Sequence, residues 1–316
     1  MIKTFKQALL IIAAMMTSAV VTSCNNVEDD MMETQQDATQ VTSRNVGTKT
    51  PKLTVYIETN DINPLNAGEY YFTGTNPKEE VIDHVILFAS NIRGTASSVQ
   101  LYHNENQSYI LNHADSLIVP LQQKGIKVLL GLLGDHTGVG FANLTPAMIN
   151  SFAQQIADCV TTYNLDGVDF DDEYAEYWKA PSNLPTPSST IFGNLIIKLR
   201  QLLPGKIITA FDYGYTGFNQ TVMNALSYMW PDFGCNSYIP TGLSQNKWAK
   251  LSIQLTDGRP SSSTIQSCAN NYSGYGAIMM FNLRNYDFSG TMNNFASKIW
   301  GGRTVSYTGT SHPKNY

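Results

Sequence analysis

Between Leu165 and Tyr174 the chain reads Leu-Asp-Gly-Val-Asp-Phe-Asp-Asp-Glu-Tyr. Successive side chains of a β-strand point to opposite faces. Asp169, Asp171 and Glu173 therefore share one face, and Val168 and Phe170 the other. Two carboxylates beneath a third raise its pKa by like-charge repulsion. Such crowding does nothing for folding, but it suits a group that donates a proton at neutral pH, so Glu173 is the expected acid. Asp172 and Glu176 read as solvated loop acids. A calcium loop also alternates acids, but here an apolar strand precedes them and no glycine takes the sixth position. No Cys/His cluster has zinc spacing. No metal is expected.

Short apolar runs alternate with helix-like segments over most of the chain. The runs are Leu53 to Ile57, Val85 to Ala89, Ile126 to Leu133, Leu165 to Phe170, Ile207 to Phe211, Phe233 to Tyr238, Leu251 to Leu255 and Ala277 to Phe281. Near-continuous apolar strands are what a parallel sheet buried on both faces requires. Thr145-Pro146 supplies an N-cap and first-turn proline ahead of Met148, Phe152, Ile156 and Val160. A second stripe, Ile191, Leu195, Leu199 and Leu202, stops at Pro204-Gly205. Eight strands alternating with helices predict an α/β protein, a (β/α)8 barrel in one domain over 51–316. A doubly wound nucleotide-binding sheet is the alternative, and the missing GxGxxG after the first strand counts against it. In a barrel Glu173 falls at the C-terminal rim, where barrel enzymes place their active sites.

The first 23 residues carry Lys3 and Lys6, an apolar run from Ala8 to Met16, and small residues up to Cys24. That is the pattern of an export signal, too short to span a bilayer. Val21-Thr22-Ser23-Cys24 resembles a bacterial lipobox, which implies cleavage before Cys24 and lipid modification of its thiol. The acidic residues that follow resemble the patch that sends some Gram-negative lipoproteins to the surface. The expectation is an exported lipoprotein, held by that lipid alone at the outer membrane or cell surface. Residues 24–50, polar and aperiodic, read as a flexible linker. Cys159, Cys235 and Cys268 are odd in number and irregularly spaced, which argues against a disulfide framework. They read as small core residues. The net charge of −5 falls further once Lys3 and Lys6 leave with the signal, so nucleic acid is not a partner. A neutral substrate and a monomer are expected.

The string Asp166-Gly167-Val168-Asp169-Phe170-Asp171-Asp172-Glu173 fits the DGxDxDxE signature of glycoside hydrolase family 18, and LDGVDFDDEYAEY resembles endo-β-N-acetylglucosaminidases of the endoglycosidase H and F1 type. The similarity extends to Val55 to Asn60, Leu101 to Asn106, Pro120 to Leu130, Gly138 to Asn143 and Tyr275 to Leu283. The resemblance implies hydrolysis within the chitobiose core of N-linked glycans, high-mannose ones foremost, without a cofactor. Glu173 would be the acid, and the substrate's own acetamido group the nucleophile. Asp171 would hold that group's N–H, with Asp169 sharing a proton with Asp171. Tyr238, in an Asn236-Ser237-Tyr238 stretch placed at the end of the sixth strand, would meet the acetamido oxygen, with Asn236 beside it. Phe281 would be the stacking floor. Glu58, Asn91 and His136 are further sugar-contact candidates, His136 within a Gly134-Asp135-His136 stretch that departs from the family's Gly-Asn-His. Arg284 replaces an acid often found after the eighth strand. A chitinase-like hydrolase and a non-catalytic glycan-binding protein are the competing readings. Retention of all three acids favours catalysis.

Overall fold

The computed structural model describes residues 49–316. The leader, Cys24 and the linker up to residue 48 lie outside the described residues. Twelve strands occur in this part: β1 (Lys52–Glu58), β2 (Tyr70–Phe72), β3 (His84–Gly94), β4 (Val99–Tyr102), β5 (Lys127–Leu133), β6 (Gly167–Asp171), β7 (Ile207–Phe211), β8 (Tyr228–Trp230), β9 (Gly234–Cys235), β10 (Ala249–Gln254), β11 (Ala277–Phe281) and β12 (Val305–Tyr307). Eight of them pair in parallel in the order β8-β7-β6-β5-β3-β1-β11-β10. A parallel bridge between Met229 and Trp248 joins the two ends. The expected (β/α)8 barrel is the fold.

The helices are α1 (Glu105–Asn112), α2 (Ala114–Leu117), α3 (Val119–Gln123), α4 (Pro146–Thr162), α5 (Ser189–Leu202), α6 (Gln220–Ala225), α7 (Ser262–Ala269) and α8 (Ser289–Ile299). At the start of α4 the Thr145 side chain accepts from the Met148 N–H, with Pro146 in the first turn, as the sequence predicts. Two connections lack an α-helix. After β1 the chain makes a 3-10 turn over Pro64–Glu69 and enters β2, which pairs antiparallel with β12. After β8, Pro231, Gly234, Pro240 and Gly242 interrupt any helical run, and β9 pairs antiparallel with β10.

This second exception corrects two expectations. The sixth barrel strand is Tyr228–Trp230, not Phe233 to Tyr238. It is short because Pro231, which has no N–H to give the ladder, follows at once. Cys235 and Cys268, read as core thiols, form a disulfide with Cα atoms 5.8 Å apart, tying β9 to α7. Cys159 does sit buried as a free thiol, its pKa pushed up to about 12 by burial.

The core has two layers. Outside the strands, Phe141, Phe170 and Phe192 pack ring against ring between sheet and helices. Each such fully buried side chain contributes about 1.5–3 kcal/mol. Inside the barrel lie Tyr56, Ile86, Leu129, Trp230 and Met279. At Gly167 β6 and β7 lie close together: a Cβ there would sit 2.0 Å from the Ile207 carbonyl oxygen. That contact seats β6, and with it the acids beyond Gly167.

Candidate active site

A cavity of about 430 Å³ opens at the C-terminal ends of the barrel strands. Its acids are Glu58 from the end of β1, Asp171 from the end of β6, Glu173 two residues further on, and Asp232 after β8. Its walls and floor are aromatic and apolar: Tyr56, Phe88, Phe211, Phe233, Met279 and Phe281. Phe281 packs against Tyr56, Phe88 and Phe233 with ring centroids 5.5–5.9 Å apart. Rings arranged this way make a floor for the apolar face of a sugar, with carboxyls at several points of the rim.

The three acids of the motif do not stand in one even row. Strand β6 stops at Asp171, and the Asp171 Oδ1 accepts the Glu173 backbone N–H at 3.1 Å. That bond caps the strand and turns Glu173 over the cavity mouth, half-buried. Below them Asp169 is fully buried and reaches no solvent. Its Oδ2 accepts from the Tyr56 hydroxyl and its Oδ1 from the Thr209 hydroxyl, both at 2.7 Å. The Trp230 indole N–H in turn donates to the Tyr56 oxygen at 2.8 Å. The first acid, Asp166, serves the other end of the barrel, where it accepts from the Val128 N–H and the Gln122 amide.

Burial dominates the electrostatics. It pushes Asp171 up to about 8, with the neighbouring Glu173 and Asp169 charges adding to the rise. Burial also raises Asp169 to about 6, against the lowering effect of the Thr209 and Tyr56 hydrogen bonds. Glu173 is raised by burial first and by the Asp232 charge second. Like-charge crowding by its strand-mates therefore acts on Asp171, while the charge that acts on Glu173 is Asp232. Asp172 is a further correction: it is buried, with a pKa near 7, and accepts a 2.5 Å hydrogen bond from the Tyr177 hydroxyl. Glu176 pairs with His136 and Lys179.

The remaining candidates divide between the cavity and its supports. Glu58 lines the cavity, and its Oε2 is 2.8 Å from Arg284, which also binds Asp61. Asn91 donates to the Gly134 carbonyl at 2.9 Å and so supports the loop after β5. That loop is joined to the one bearing Glu173 by three backbone bonds: Gly134 N–H to Glu173 O, His136 N–H to Tyr174 O and Gly138 N–H to Ala175 O. A Cβ on Gly134 would meet the Glu173 carbonyl oxygen at 2.4 Å. His136 and Asn91 lie outside the cavity lining. So does Tyr238, 72% exposed beyond β9, whose N–H donates to the Asn236 side chain. With the sixth strand ending at Trp230, the rim position assigned to Tyr238 and Asn236 is taken by Asp232 and Phe233. Parity along the strands could have found Tyr56 and Thr209, since both point inward at the level of Asp169. Asp232 was hidden by the misplaced strand.

Three comparisons with known proteins agree with one another. The sequence profile described as Glycosyl hydrolases family 18 matches residues 52–225. An endo-beta-N-acetylglucosaminidase of Flavobacterium sp. (strain SK1022) is 35% identical over 79% of this chain and 81% of its own length. Endo-beta-N-acetylglucosaminidase F1 of Elizabethkingia meningoseptica is 33% identical over 84% of this chain and 82% of its own. Among solved structures, Bacteroides thetaiotamicron EndoBT-3987 with Man5GlcNAc product superposes with a TM-score of 0.74 at 28% identity, covering 87% of this chain and 66% of that one. The same protein has been solved in complex with Man9GlcNAc2Asn substrate, again with a TM-score of 0.74.

Proposed function

The chain belongs to glycosyl hydrolases family 18, and on that footing we propose that it is an endo-β-N-acetylglucosaminidase cleaving the GlcNAc-β-1,4-GlcNAc bond of N-linked, chiefly high-mannose, glycans. The observation that carries the proposal is the pairing of Asp171 and Glu173 on one wall of an aromatic-floored cavity, with Asp169 buried beneath. Glu173 gives its proton to the glycosidic oxygen between the two GlcNAc residues. As that C–O bond breaks, the 2-acetamido carbonyl oxygen of the non-reducing GlcNAc bonds to its own C1. An intramolecular nucleophile needs no second carboxylate and enjoys a large effective molarity.

Asp171 accepts the acetamido N–H and offsets the charge that grows on it. Asp169 near 6 and Asp171 near 8 give the pair one proton at neutral pH. Moving that proton down to Asp169, where Tyr56 and Thr209 already hold the carboxyl in place, leaves the negative charge on Asp171 facing the substrate. Ionised Glu173 then takes a proton from water as its oxygen attacks C1, which reopens the ring and restores the acid.

Incubation of the protein with a high-mannose glycoprotein, followed by mass measurement, tests the proposal. One N-acetylhexosamine should remain on the asparagine. An intact glycan, or removal of both GlcNAc residues, rejects it.

The Cys235–Cys268 disulfide supports export to an oxidising compartment, in keeping with the leader at 1–23 and lipid attachment at Cys24. In this reading the protein works as a monomer tethered by its lipid. Replacing Cys24 with Ser should move it from the membrane to the soluble fraction. Unchanged membrane recovery contradicts the anchor.

A further inference from the structure

Beside the catalytic cavity lies a second hollow, of about 460 Å³, that shares Glu173 and Tyr174 with it. Its lining includes Trp178, Tyr213 and Tyr215. Of the seven exposed large hydrophobic side chains among the described residues, four line this hollow, and Trp178 is 80% exposed. A concentration of exposed aromatic surface at one place marks a binding site more often than chance exposure does.

Tyr213 and Tyr215 are held in place by neighbouring rings. Tyr213 stacks on Phe211, a wall of the catalytic cavity, with centroids 5.6 Å apart and planes 10° from parallel. Tyr215 packs edge-on against Tyr177 at 5.3 Å, and the Tyr177 hydroxyl is anchored on Asp172. The Lys179 ammonium, paired with Glu176, lies 4.9 Å from the Trp178 ring centroid. The three backbone bonds between the loops at 134–138 and 173–175 fix Glu173 to Ala175 at the edge of the hollow. A prearranged platform loses little entropy when it binds.

We propose that this hollow binds hexopyranose units of the glycan antenna, with Trp178 and Tyr213 stacking on the C–H faces of the sugars. The inference rests on the endoglycosidase reading and adds where the rest of the glycan lies. A flat aromatic bordered by carboxylates that accept hydroxyl hydrogens matches a pyranose, apolar on its face and polar at its edge. The polypeptide that carries a glycan varies in chemistry from one substrate to the next, and a fixed platform is suited to a repeated unit. Its continuity with the catalytic cavity through Glu173, Tyr174 and the Phe211–Tyr213 stack lets a single branched sugar occupy both.

Two measurements test this. The first compares kcat/KM for a high-mannose glycopeptide with that for one trimmed to a short core. In Trp178→Ala the ratio of the two should fall about tenfold, through KM of the larger substrate. An unchanged ratio overturns the proposal. The second uses the protein's own fluorescence. Trp230, Trp248 and Trp300 are buried, so quenching by acrylamide reports Trp178. Free high-mannose oligosaccharide, without peptide, should shield Trp178 in Glu173→Gln. Absence of shielding, or shielding by the glycopeptide alone, overturns the proposal and in the second case assigns the hollow to polypeptide. If wild type cleaves neither substrate, the endoglycosidase reading fails, while the quenching result still decides whether the platform binds sugar.

Discussion

At the scale of single residues, the cavity separates two roles that the acidic run alone presents together. Asp171 is a buried group whose pKa burial pushes up to about 8. Glu173 is a half-buried group at the mouth, whose proton is retained by burial and by Asp232. The sign of the Asp232 effect can be worked out. Cleavage needs the protonated form of Glu173, so activity falls as pH rises through its pKa. Asp232 raises that pKa, and Asp232→Asn should therefore lower it. The alkaline limb of the kcat/KM profile should move to lower pH. A limb that stays in place or moves upward shows that Asp232 does not act on the acid. The identities of the three acids were legible because alternation along a strand is strict. Their partners are harder to read: Thr209 follows from the pairing of β6 with β7, but Tyr56, and Trp230 behind it, reach Asp169 only across the closed barrel.

At the scale of elements, most strands were readable as apolar runs of five to eight residues. Strand β8 was not. Its three residues, Tyr228 to Trp230, end at Pro231 and leave too short a run to detect, while Phe233 to Tyr238 offers a longer one with hydrophobic ends. That error displaced Tyr238 onto the rim and hid Asp232 and Phe233. The disulfide was missed for a related reason. Cys235 and Cys268 are separated by 33 residues, and only the return of β9 alongside β10, with α7 behind it, brings them together. The bridge ties β9, in the connection that lacks an α-helix, covalently to α7. Replacing both cysteines with serine should lower the unfolding free energy by about 2–4 kcal/mol, read as a lower denaturant midpoint, with a steeper slope as the unfolded chain expands. No change in midpoint contradicts a structural role.

At the scale of the whole molecule, the barrel explains why the chemistry sits where it does. Parallel strands bring all their C-terminal ends to one rim. Residues as distant in sequence as Glu58, Glu173, Asp232 and Phe281 then line a single cavity. The (β/α)8 architecture was legible from the alternation of elements. The two connections without an α-helix were not, since they reflect local prolines and glycines and the pairing of β2 with the remote β12. The low charge and aromatic surface suit a neutral sugar, and among the described residues no helix is long and apolar enough to cross a membrane.

Glu173, as the proton donor to the leaving sugar, is the residue on which the proposed cleavage turns. Acid assistance matters most when the leaving group is a poor one, such as a sugar alkoxide, and little when it is a stable phenolate. The most direct test is single-turnover cleavage by Glu173→Gln of the natural glycan and of an aryl glycoside carrying the same non-reducing sugar. Cleavage of the glycan should slow by about 10²–10⁴-fold, while release of the phenol from the aryl glycoside should slow far less. Equal losses on both substrates, or near wild-type cleavage of the glycan, would contradict the assignment.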